Sequence, residues 1–138
     1  ALRAESQRVL AEIGSQAVVP LATAMLGTEP AMQERLADVL GLIGHRSALP
    51  FLGDLRLSTS VTPVREAAER AMRRIDAASV DASVSGLYLS LGERYFQQSR
   101  DVTSFPGEEF QLLWSYARAT GLTMTGVRTD VYHEAMAM

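Results

Sequence analysis

Few side chains in this sequence carry the chemistry of catalysis, and their types and spacing decide what they can do. There are two histidines. His45 follows Gly44 in what reads as an inter-helix turn, so its expected place is the surface or a helix end. His133 stands beside Glu134 and three residues after Asp130. Residues three apart share a helix face, so Asp130 and His133 offer two ligands to a metal, but two ligands do not make a coordination shell. No Ser-His-acid arrangement, Gly-x-Ser-x-Gly elbow or phosphate-cradling glycine loop occurs, and Gly86 and Gly92 lack the spacing of a dinucleotide fingerprint. The densest basic cluster is Arg65, Arg70, Arg73 and Arg74. Glu66–Arg70 and Glu69–Arg73 are i, i+4 pairs, which predicts a solvated, self-neutralised helix face. Phe110, Trp114 and Tyr116 read as the core of a small α+β unit. Trp and Tyr are also over-represented at binding hot spots, so Trp114 and Tyr116 are the candidate contacts if this part of the chain docks onto a partner. No catalytic residue, cofactor or metal site is expected, and the chain reads as a non-enzyme.

Composition narrows the field further. The 138 residues carry 13 basic and 16 acidic side chains, and 47% are apolar, which suits a folded chain and is too many for a disordered one. The absence of cysteine excludes disulfides, thiolate nucleophiles, Cys-ligated zinc, iron–sulfur clusters and covalent c-type haem. Every basic residue is Arg, with no Lys and no Asn; both missing types use A-rich codons, so a GC-rich, bacterial genome is the expected source. Residues 1–78 are charge-balanced, whereas 79–138 hold four Arg against seven acids, so neither part offers the basic stripe that nucleic-acid binding requires. No apolar run is long enough to span a bilayer, and no basic segment precedes an apolar one as in a signal peptide. A cytoplasmic location is the default expectation.

The elements that would position these residues repeat. Leu2–Gly14 aligns with Met32–Gly44 after a shift of 30, and again with Val64–Asp76 after a further 32. The stripe positions are Leu2, Ser6, Val9, Leu10, Ile13; then Met32, Leu36, Val39, Leu40, Ile43; then Val64, Ala68, Ala71, Met72, Ile75. Their common spacing is one face of an α-helix, written three times. A second unit lies between these helices: Ser15–Leu21 aligns with His45–Phe51. Gly14 and Gly44 should close the preceding helices, Ser15 or Ser47 should cap the next ones, and Pro20 and Pro50 should fall in their first turns. Residues 1–76 thus read as two complete helix pairs and the first helix of a third.

This pattern resembles the short HEAT-like repeats of the phycobilin-lyase type. In those repeats a Val-Arg-x-Ala-Ala-x-x-Leu-x-x-Ile-Gly helix is followed by one containing Ala-x-Pro-x-Leu. The first is carried here by Leu2-Arg3…Leu10…Ile13-Gly14, Leu36…Leu40…Ile43-Gly44 and Val64-Arg65…Met72…Ile75, and the second by Val18-Val19-Pro20-Leu21 and Ala48-Leu49-Pro50-Phe51. Gln33 departs from the pattern where Arg3 and Arg65 stand, which should weaken an inter-repeat Arg ladder. Asp76 replaces the closing glycine, which predicts that the repeats end near there. The resemblance implies a mainly α, HEAT-like α-α superhelix over 1–78.

Residues 79–138 read as a small α+β tail: a connector to Gly86, a helix over Leu87–Ser99, and a loop to Gly107. Over 110–125 two patterns compete. Phe110, Leu113, Trp114 and Ala117 suit a helix, and Phe110, Leu112, Trp114 and Tyr116 alternate as in a strand. Thr120-Gly121 followed by Leu-Thr-Met-Thr favours a β-hairpin. Thr129 should cap a last helix from Asp130. Helix periodicity begins at Leu2 with no cap and the last helix ends with no polar stop, so a piece of a longer protein is expected. The predicted function is non-catalytic protein–protein interaction or scaffolding, because stacked helix pairs present an extended surface lined by their second helices. Thr23, Asp54 and Arg56 are the expected outward positions there. Two alternatives stand beside it: an accessory domain of a chromophore- or metabolite-handling enzyme, and a HEAT-like nucleic-acid binder, against which the balanced charge argues.

Overall fold

The computed structural model of the chain describes residues 3–6, 14–98, 102, 103, 105 and 107–138. Residues 3–6 are helical, and the rest of the first expected repeat helix lies outside the described residues, as does most of the loop over 100–106. Helices then alternate with tight turns: α1 (Ser15–Gly27), α2 (Pro30–Ile43), a 3-10 turn (Arg46–Ala48), α3 (Leu49–Ser58), α4 (Thr62–Ile75), a second 3-10 turn (Ala77–Asp81) and α5 (Val84–Phe96). An antiparallel pair, β1 (Phe110–Ala117) and β2 (Gly121–Arg128), leads into α6 (Thr129–Ala137).

Local chemistry accounts for most helix ends. A proline stands at the first or second position of α2, α3 and α4, where a missing N–H costs least. Gly44 closes α2 in the left-handed region at φ 74°, its N–H donating to the Leu40 carbonyl, a conformation that side-chain-bearing residues adopt with difficulty. Two expectations are corrected. Pro20 lies inside α1 rather than in its first turn, because that helix already starts at Ser15. Ser15 is the first residue of α1, with Gly14 at the cap position, and Ser47 lies within the 3-10 turn, where the ring of His45 accepts from its N–H. At Asp76 the chain leaves α4 in extended conformation, φ −159°, and the carboxylate accepts from the Ala78 N–H to start the second 3-10 turn.

The main core is built from the predicted stripes. Val18, Ala22 and Met25 of α1 meet Ala37 and Leu40 of α2, Leu49, Leu52 and Leu55 of α3, and Val64, Ala68 and Met72 of α4. Each large apolar side chain removed from water here is worth about 1.5–3 kcal/mol. In the second and third stripes, Met32 is the exposed position, at 44% in the first turn of α2. Helices α2 and α4 run side by side at close range, and a Cβ added at Gly41 would sit 2.9 Å from the Ala71 Cα.

A second core cluster holds the tail. Leu91 and Tyr95 of α5, Val102 and Tyr132 of α6 are buried together, with Leu113 and Val127 of the hairpin and Met136 packed against them. The Tyr95 and Tyr132 rings meet edge-on at 6.1 Å, and burial pushes the Tyr95 phenol far above its usual range. Phe51 of α3 touches both clusters and joins them. Residues 110–125 form strands, as the alternation and Thr120-Gly121 suggested: a three-residue turn links Ala117 to Gly121, which sits at φ 73°. Helix α5 starts three residues earlier than expected because the Ser83 hydroxyl accepts from the Gly86 N–H. Thr129 is not the cap of α6; its hydroxyl donates to the Glu108 carbonyl, 2.6 Å away.

The Gly41 contact gives a test of how closely the helices must approach. Alanine gains about 1 kcal/mol of helix propensity over glycine, whereas forcing a methyl into a filled helix crossing costs about 1–3 kcal/mol. Gly41→Ala is therefore expected to lower the urea midpoint with an unchanged m-value; a raised midpoint would show slack between α2 and α4.

Candidate interaction surface

The second-helix positions expected to face a partner are largely used within the chain. Asp54 on α3 is half-buried and accepts a 3.2 Å hydrogen bond from the Tyr88 hydroxyl of α5. Burial first, and the neighbouring carboxylate second, push the Tyr88 phenol up to about 12. The Phe51 and Tyr88 rings stack edge-on at 5.6 Å beside this bond. Arg56, also half-buried, donates through Nη1 to the Val80 carbonyl at 3.0 Å. Residues 77–96 thus lie over the part of α3 that Asp54 and Arg56 present, and Leu57, 68% exposed, is the large apolar side chain that α3 leaves to solvent. Thr23 is half-buried on α1.

Trp114 and Tyr116 lie on one face of the hairpin, paired across the strands with Met124 and Leu122. Both are half-buried. The Tyr116 ring seats on the C-terminal end of α1, where a Cβ at Gly27 would overlap it. The opposite face, carrying Leu113 and Val127, turns to the α5–α6 cluster. The hairpin is therefore held from both sides, while Phe110 and Met124 stay 57% and 61% exposed.

A polar network, which alternation alone does not reveal, fixes the hairpin to its flanking loop. Gln111 is fully buried; its Oε1 accepts from the Phe105 N–H at 3.0 Å, and its Nε2 donates to the Phe105 carbonyl at 2.7 Å and to the Thr129 hydroxyl at 3.3 Å. One amide side chain thus satisfies both backbone groups of Phe105, as a neighbouring strand would. His133 is buried and engaged through both nitrogens. Nδ1 donates to the Thr129 carbonyl at 3.2 Å, which leaves Nε2 to accept from the Thr103 hydroxyl at 2.9 Å. Asp130 instead lies 3.4 Å from Arg128 Nε. Among the described residues no group of three or more His, Asp or Glu side chains is placed to hold a metal.

A cleft of about 410 Å³ opens where the hairpin tip meets the α1–α2 corner, lined by Thr28, Glu29, Met32, Arg35, Tyr116 and Arg118. Arg35 and Arg118 are exposed, and neither forms an ion pair among the described residues. Of the five predicted contact residues, Tyr116 reaches this cleft. The two arginines escaped notice because they stand 83 residues apart in the chain, one in a repeat helix and one in the hairpin turn.

Bonds between successive helix rows recur near the repeat period. Arg46 pairs with Asp76 at 2.8 Å, 30 residues on, and Asp38 with Arg70 at 3.4 Å, 32 residues on. Gln33 donates to the Met25 carbonyl at the end of α1, and its counterpart Arg65 donates to the Thr59 carbonyl just beyond α3. Arg70 therefore turns to the neighbouring helix, while Glu69–Arg73, at 4.0 Å, is the expected i, i+4 pair. Period, apolar stripe and side-by-side helices agree with the known family whose profile matches residues 1–73, described as HEAT repeats. The chain belongs to the HEAT-repeat family. No curated protein and no solved structure matches it. In HEAT terms α2 and α4 are first helices, and α1 and α3 are second helices. HEAT repeats generally mediate protein–protein interaction. Among the described residues no helix is long and apolar enough to cross a membrane.

His45, at the corner between a first and a second HEAT helix, provides a pH test. Burial, reinforced by the Arg94 charge, lowers its pKa below the ordinary 6.5. The unfolded chain binds this proton more readily than the folded one, so stability from the neutral ring is complete above about pH 6.5 and falls as acid titrates the folded ring. Unfolding free energy measured from pH 7 to 5 should decline, and His45→Asn, whose Oδ1 replaces the accepting Nδ1 without titrating, should flatten that decline. An identical slope in the variant would remove the role.

Proposed function

We propose that this HEAT-repeat chain is a non-catalytic protein-binding module, a scaffolding segment of a larger bacterial protein, whose anchor is the cleft between the α1–α2 corner and the hairpin tip. The observation that carries this reading is the convergence there of Tyr116 with two exposed arginines that form no ion pair among the described residues, in a protein whose overall charge is −3. Such a site suits an acidic, extended segment of another protein: guanidinium groups take carboxylates through paired hydrogen bonds, and the tyrosine supplies a rigid apolar contact. Tyr116 is already ordered against α1, so little side-chain entropy is lost on binding.

The packing of α5 on α3, after a 3-10 turn like the one before α3, supports a third repeat that runs to Phe96 rather than ending near Asp76. The hairpin and α6 would then lie along the second helices, from α1 to α5. The engaged state of both histidines supports a role without acid–base chemistry.

A photo-crosslinking residue at position 116, introduced in cells, is expected to trap a discrete protein. Binding of that purified protein should weaken at least tenfold in Arg35→Glu/Arg118→Glu, with the melting temperature unchanged. Retention of full affinity by the double variant would overturn the assignment of the cleft.

A further inference from the structure

The hairpin has one edge that the described residues leave open. Both strands touch α1 and α6, β1 more extensively than β2, and β2 is exposed along residues 122–126. In an antiparallel pair every second residue turns its N–H and C=O away from the partner strand. Among the described residues, no backbone group of 122–127 bonds to backbone outside the β1–β2 pairing. Sheet edges are ordinarily guarded by a charge, a proline or a bulge. From Gly121 to Val127 this edge has none: the stretch is Gly-Leu-Thr-Met-Thr-Gly-Val, and its pairing with β1 is regular throughout. A two-stranded sheet is also the smallest and least stable form of sheet, and it gains from added strands.

The edge is complementary to itself. Leu122 and Met124 lie on the face that carries Trp114 and Tyr116, while Thr123 and Thr125 lie on the face that carries Ser115. A strand that fits beside β2 must therefore alternate apolar and hydroxyl side chains and carry no charge, which describes β2. Arg128, at its end, is already held between Glu109 at 4.0 Å and Asp130 at 3.4 Å.

We propose that β2 is a self-association edge: β2 of one copy pairs antiparallel with β2 of a second copy, joining two hairpins into a four-stranded sheet. A two-fold axis at Met124 sets that residue beside its equivalent, Thr123 opposite Thr125, and Leu122 opposite Gly126. The rows Trp114–Met124 of both copies then form one continuous apolar face. Such symmetric, isologous contacts are the commonest form of homodimer. The paired span is short, so the contact belongs to the small, weak class of interfaces, with micromolar rather than nanomolar affinity. This inference does not use the arginine cleft, and its failure leaves the proposed function untouched.

Sedimentation velocity of the chain over a micromolar-to-submillimolar series should show the mass rise from 15.0 kDa toward twice that value. Met124→Lys, at a 61% exposed position, should keep the circular dichroism spectrum and stay monomeric throughout, because it sets two like charges side by side on the axis. The chain has no cysteine, so Met124→Cys supplies a single thiol, which should oxidise to a disulfide-linked dimer at least tenfold faster than Glu134→Cys, at an exposed position of α6. A monomer at every concentration, a dimer that Met124→Lys leaves intact, or equal oxidation rates at the two positions would each overturn the proposal. If Met124→Lys does not fold, the oxidation rates decide.

Discussion

The close approach of α2 and α4 is the constraint on which the rest of the structure depends. Two helices can run side by side at that range only if the residues between them are small; here Gly41 meets Ala71, and the helices bury further alanines, Ala37 on one and Ala67 and Ala68 on the other. Their closeness leaves the larger side chains, Leu40, Leu52, Leu55 and Met72, to fill the layer between the first-helix and second-helix rows. That layer in turn fixes how far apart α1 and α3 lie, and so where the hairpin can seat. A wider α2–α4 spacing would open voids throughout this layer, and close-packed interiors tolerate such voids poorly.

Polar bonds then set the register of one row on the next. Arg46–Asp76 and Asp38–Arg70 are exposed pairs, and exposed pairs add little to stability. Their value is positional, since each links residues about one repeat apart. Gln33 illustrates the same point: it breaks the Arg pattern of the first helices, yet it donates to the end of the preceding second helix as Arg65 does. The requirement is a long side chain with an N–H at its tip, which glutamine meets without the charge. Asp76 likewise replaces a helix-closing glycine by another route. Its carboxylate starts the next turn and accepts from Arg46, whose hydrogen bond holds it below the usual carboxylate range.

The tail is a different kind of structure. Its hairpin has apolar residues on both faces and would be marginal alone, so it is held by α1 on one side and by α5 and α6 on the other. The buried amide of Gln111 and the ring of His133 stitch it to Phe105 and Thr103. A buried polar group is tolerated only when its hydrogen bonds are complete, and among the described residues none is left unsatisfied.

The helix rows are legible in the chain because the 3.6-residue apolar stripe, with Gly44 and the prolines that open α2, α3 and α4, is local physics. It also carried the hairpin: an αL glycine after a three-residue turn and alternating Thr and aromatic residues leave a pleated strand as the better fit. What it did not carry were the bonds between distant elements. Nothing local marks Gln111 as buried, Asp54 as the acceptor of the Tyr88 hydroxyl, or Arg35 and Arg118 as neighbours. Those pairings depend on where α5 and the hairpin come to rest, and that is decided by mutual burial of apolar faces, a non-directional force that leaves no spacing rule in the chain. Which surface is covered and which is open thus follows from how the elements pack, not from local sequence.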